Sequence, residues 1–88
     1  PNILLETACL KKLIISTNCK VGPREILQSG KGGILFKVGD YNKLLSILKN
    51  IDINSKNIKR KINISYQYVK KNFKKDISPS FINLIKKL

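Results

Sequence analysis

Apolar residues recur along the chain in blocks whose spacing alternates between helical and strand-like. Leu4, Leu5, Ala8 and Cys9 share one face of a helix predicted over residues 2–12. Lys11 and Lys12 close that helix, where cations complement its dipole. The β-branched run Leu13-Ile14-Ile15-Ser16-Thr17 predicts a short buried strand. A loop over residues 18–21 leads into a short helix over 22–27 with Pro23 in its first turn. The glycine-punctuated residues 28–33 predict a loop, and Ile34-Leu35-Phe36-Lys37-Val38 a second strand. Asp40 is a good N-cap for the helix marked by Leu44, Ile47, Leu48 and Ile51.

Helix, strand, short helix, strand, helix is the βαβ grammar of a parallel, doubly wound sheet, so residues 1–51 predict an α/β unit with two parallel strands. Residues 52–57 are polar and linker-like. Ile58, Ile62, Tyr66, Val69 and Phe73 then mark one long amphipathic helix. Phe81, Leu84, Ile85 and Leu88 mark a last helix, so residues 52–88 predict a helical C-terminal part. Two strands do not make a self-sufficient open sheet, and the predicted strand faces call for neighbours N-terminal to Pro1. The chain also opens inside an apolar run without Met, which predicts a piece of a longer protein.

Charge changes this picture in one respect. The net charge is +13, and it is uneven: 8 basic and 3 acidic side chains over 1–51 against 10 and 2 over 52–88. Lys59-Arg60-Lys61, Lys70-Lys71 and Lys74-Lys75 lie in or just after the long helix. That helix fits a solvated face opposite a core-packing stripe, or contact with an anionic membrane surface. The hydrophobic content of 42% excludes disorder by composition. No apolar run approaches the ~20 residues of a membrane-spanning helix. There is no His, which excludes Cys–His and Ser–His–Asp units within the chain. Cys9 and Cys19 form no C-x-x-C pair and supply too few ligands for zinc. A reduced, cytoplasmic chain is the expectation, with Cys9 a small core residue.

Several stretches are specific in combination. Pro1-Asn2-Ile3-Leu4-Leu5-Glu6-Thr7-Ala8 is followed by Leu13-Ile14-Ile15-Ser16-Thr17-Asn18-Cys19, then Gly22-Pro23-Arg24-Glu25-Ile26-Leu27, then Gly30-Lys31-Gly32-Gly33-Ile34-Leu35-Phe36-Lys37-Val38-Gly39-Asp40. This series resembles the C-terminal domain of retaining GT-B glycosyltransferases of group 1, family four, which build lipopolysaccharide, capsule and other glycans. The resemblance covers about residues 1–51. It implies the C-terminal portion of a Rossmann-like domain and transfer from a nucleotide-sugar, a UDP-sugar by family, to a saccharide or lipid-linked acceptor. It further implies a cytoplasmic setting, with the inner face of the cell membrane as a peripheral contact.

In that family two Glu residues bracket a loop-to-helix turn. Glu6 matches the second, and the first falls ahead of Pro1. The resemblance implies that Glu6 accepts hydrogen bonds from both ribose hydroxyls, since a carboxylate suits a vicinal diol. It assigns Asn2, Ile3 and Leu4 to binding the donor diphosphate through backbone N–H groups at the helix start. Gly22, Arg24 and Glu25 follow a strand's C-terminal end and are candidates for a donor or acceptor loop. A Pro-started helix whose Glu25 pairs locally is the competing reading. No catalytic residue, metal or cofactor is expected here, and the isolated chain is expected to be inactive. Gly30-Lys31-Gly32-Gly33 lacks phosphate-loop spacing and reads as a turn. Three positions depart from the family pattern: Lys11 stands where Gly is frequent, Leu13 for Pro and Asn18 for Asp.

Two readings of other classes stay open. One is a small basic nucleic-acid-binding module, against which stand an aromatic content of 7% and the lack of a recognised motif. The other is a remnant without activity.

Overall fold

Residues 2–19 and 22–73, with the single positions 79 and 83, are described by a computed structural model of the chain. Helix α1 spans Asn2–Cys9, strand β1 Ile15–Thr17, helix α2 Pro23–Ile26, strand β2 Ile34–Phe36, helix α3 Tyr41–Asn50 and helix α4 Lys56–Asn72. A single 3₁₀ turn, Gln28–Gly30, lies between α2 and β2. The strands pair in parallel, with Ile15 opposite Ile34, Ser16 opposite Leu35 and Thr17 opposite Phe36. The chain is therefore a mixed α/β unit with the two parallel strands its pattern predicted. The predicted last helix, marked by Phe81, Leu84, Ile85 and Leu88, lies outside the described residues.

Helix α1 stops earlier than its apolar spacing suggested. Lys11 has φ 57°, and the bonds Lys11 N–H to Ala8 O (3.1 Å) and Lys12 N–H to Thr7 O (3.3 Å) close the helix as a Schellman motif. The left-handed position is the one where the glycosyltransferase pattern has Gly. The Lys11 ammonium lies 4.7 Å from the centroid of the Tyr66 ring of α4, a cation–π contact across two helices. Both strands are also shorter than predicted. Only three residues of each find partners, and the apolar residues beyond them lie outside the ladder.

The core is built from Leu5 and Ala8 of α1, Ile14, Ile26, Leu27 and Val69 of α4, with Leu4, Cys9, Leu35, Tyr68 and Phe73 packed against it. The predicted stripe of α4 meets the core in part: Val69 is buried in it, Phe73 packs on it and Ile58 is buried, whereas Ile62 and Tyr66 are half-buried outside the cluster. Its start is capped by the Ser55 hydroxyl, which accepts from the Ile58 N–H at 3.2 Å, and α3 is capped likewise by Asp40 from Lys43 N–H at 3.0 Å. No helix among the described residues is long and apolar enough to cross a membrane.

Residues 28–33 carry most of the backbone constraint. Gln28 and Ser29 have φ of 49° and 56°, an unfavourable region for residues with a Cβ. Two glycines then allow close packing. A Cβ on Gly32 would lie 3.1 Å from the Ser65 nitrogen of α4. A Cβ on Gly33 would lie 2.8 Å from both Ile14 O and a Leu27 methyl. Gly33→Ala is therefore expected to cost about 1–3 kcal/mol through overpacking. A lowered urea midpoint at unchanged m-value is the measurement, and an unchanged midpoint contradicts the packing described.

Candidate functional site

The C-terminal end of β1 is organised by short-range bonds. Asn18 N–H donates to Phe36 O at 2.7 Å, which holds the residue beyond the ladder against β2. Cys19 O then accepts from Arg24 N–H at 3.2 Å, drawing the start of α2 back to the strand. Gly22 precedes α2 with φ 94°, a conformation that suits glycine, and Pro23 supplies the first helical residue. Arg24 is half-buried, and its Nε donates to Asn18 Oδ1 at 2.9 Å. The Asn18 amide oxygen is thus the acceptor that holds the Arg24 side chain. Glu25 is exposed in the first turn of α2, where a carboxylate complements the free N–H groups.

Arg24 and Asn18 line an open groove of about 660 Å³. Ser29, Gly30 and Gly33 continue it, β2 contributes Ile34 and Leu35, and Lys61 of α4 completes it. Lys61 is a correction to the sequence reading. The run Lys59-Arg60-Lys61 read as solvent-facing or membrane-facing, yet only Lys59 and Arg60 are exposed and Lys61 is half-buried. The Lys61 ammonium donates to the carbonyls of Gly30 and Gly33, the latter at 3.0 Å. Its spacing held the clue: Lys61 lies three residues after buried Ile58 and four before buried Ser65, on the same helix face.

The candidate residues of α1 form a separate group. Asn2, Ile3 and Leu4 occupy the first turn, where backbone N–H groups have no partner within the helix. Ile3 is 69% exposed, whereas Leu4 packs on the core. Glu6 is half-buried one turn further on. None of these four residues is among those lining the Arg24 groove. Glu6 is instead neighbour to Cys9, whose thiol is pushed up by burial and, secondarily, by the Glu6 charge. Cys9 also packs on the core, as expected of a small apolar residue. Among the described residues no cluster of His, Cys, Asp or Glu is suited to hold a metal.

No family model matches the chain, and neither a curated protein nor a solved structure does so.

The two cysteines differ in a way that labelling reads directly. Cys19 is exposed and Cys9 is half-buried with a raised pKa. At mildly alkaline pH iodoacetamide is expected to modify Cys19 first, with Cys9 slower by about tenfold or more. The raised pKa favours the neutral thiol of the folded state. Its stabilising contribution is complete below the ordinary value of 9.0 and declines as pH rises through the higher folded value. Equal labelling rates, resolved by peptide mass spectrometry, contradict this arrangement.

Proposed function

We propose that this chain is the C-terminal donor-binding part of a retaining GT-B glycosyltransferase of group 1, family four. It serves transfer from a nucleotide-sugar, a UDP-sugar by resemblance, to a saccharide or lipid-linked acceptor in cell-envelope glycan synthesis. The observation that carries the reading is the position of Glu6. It is the fifth residue of an eight-residue helix, remains partly accessible, and its helix leads into the first strand of a parallel pair. In an open α/β unit a helix that precedes a strand runs antiparallel to it, an arrangement that would turn the first turn of α1 toward the strands' C-terminal edge. Ligands of open α/β sheets bind at that edge.

In this reading each part of α1 has one task. The carboxylate of Glu6 accepts from both ribose hydroxyls and fixes the nucleoside. The N–H groups of Asn2, Ile3 and Leu4 face the diphosphate and stabilise the charge that grows on it as it leaves. Neither task needs a proton to move on this segment, which fits a chain without His. Positioning and leaving-group stabilisation are its whole contribution to the rate.

Titration with UDP and with 2′,3′-dideoxy-UDP separates these tasks. Glu6→Ala is expected to weaken UDP binding by about tenfold or more, the worth of hydrogen bonds to a charged group. Dideoxy-UDP should bind the native protein and Glu6→Ala equally, since the diol is missing. Unchanged UDP affinity in Glu6→Ala would sink the assignment.

A further inference from the structure

We propose that the groove between Arg24 and Lys61 is a phosphate-binding site, distinct from the α1 residues assigned to the donor. Every charged side chain among its described lining residues is a cation. Both cations are held before any ligand arrives. The bond from Arg24 Nε to Asn18 Oδ1 at 2.9 Å sets the guanidinium plane, and among the described residues the terminal nitrogens have no partner and can meet oxygens side by side. Lys61 is anchored by two carbonyls, and an ammonium has three donors, so one remains. Because the Asn18 oxygen is engaged with Arg24, its NH₂ group is left as a neutral donor, and the Ser29 hydroxyl on the groove wall is a second.

The number and origin of the cations select the anion. A carboxylate is satisfied by the arginine fork alone. A phosphate carries up to two charges and three free oxygens, and it engages cations from two separate elements at once. The open groove, of about 660 Å³, leaves room beside a phosphate for part of what it esterifies. Ile34 and Leu35 offer apolar surface for that remainder. The phosphate has two natural sources, a soluble nucleotide or sugar phosphate and a lipid-linked one.

A chain of net charge +13 attracts polyanions everywhere, so the test must separate the groove from the general field. Inorganic pyrophosphate is titrated into the protein and into Arg24→Gln, Lys59→Gln and Lys49→Gln, the last two removing exposed cations outside the groove. Arg24→Gln is expected to weaken binding by about tenfold or more while the other two leave it nearly unchanged. Lys61 is left intact because it also holds the Gly30–Gly33 turn. In the native protein, ¹⁵N–¹H shifts of Ser29, Gly30 and Gly33 should move on titration, which does not depend on any variant folding. Uridine monophosphate and geranyl phosphate are then competed against pyrophosphate. Displacement by either one, read at the Ser29, Gly30 and Gly33 amides so that it reports the groove and not α1, supports the site and names its source. Equal losses in all three variants, unmoved groove amides, or displacement by neither organic phosphate overturns it. Failure of this test leaves the Glu6 assignment standing, since no residue is shared.

Discussion

One ammonium ties helix α4 to the turn that leads into the sheet. Lys61 donates to the carbonyls of Gly30 and Gly33, and between those two residues Gly32 lies against Ser65. The contact joins residues far apart in sequence and fixes three things together. It ties the last turn before β2 to a helix that also supports α1. It keeps two carbonyls in a crowded turn from being buried without a donor, a condition that costs about 1–3 kcal/mol per group. It offsets the strain of Gln28 and Ser29 in the left-handed region. The register of β2 against β1 follows, because Gly33 is pressed onto Ile14 O immediately before the ladder begins.

The rest of the sheet is much less enclosed. Parallel strands are ordinarily buried on both faces, yet every residue of β1 and β2 is only half-buried. Helix α3 shows the same feature more strongly. Its apolar residues recur with clear helical spacing, and Tyr41, Leu45 and Leu48 are 76%, 53% and 55% exposed. An amphipathic pattern states which face of a helix is apolar, and it does so whether or not anything covers that face. In α4 part of the stripe finds the core; in α3 no residue is buried.

This separates what was legible in the sequence from what was not. Helix α3 announced itself through apolar spacing and Asp40, and α4 through apolar spacing alone, because local periodicity and a capping oxygen need no distant partner; Ser55, which caps α4, lies in a stretch that read as linker. The parallel pairing followed from element order alone. Element ends were read less well, since they depend on contacts across the fold. Lys11 ends α1 in a conformation usually left to glycine while its ammonium meets Tyr66. The groove was invisible for the same reason. Asn18, Ser29 and Lys61 are ordinary polar residues in sequence, and only folding brings them beside Arg24. Glu6 was legible from a motif, which speaks of chemistry but not of surroundings.

Net charge is therefore a poor guide to where this protein meets an anion. Exposed lysines such as Lys59 and Lys49 are mobile, hydrated and screened within about 8–10 Å at physiological salt. They raise the local concentration of any anion without choosing among them. Arg24 and Lys61 add little to the sum but are oriented by Asn18 and by two carbonyls. Orientation is what converts charge into selectivity, because the entropy of holding the side chain has already been lost in folding. The same physics applies to α1, where backbone N–H groups carry no formal charge yet are fixed by the helix. In both proposed sites selectivity would come from donors that the fold holds still, and the surplus of exposed lysine would serve mainly to bring anions near.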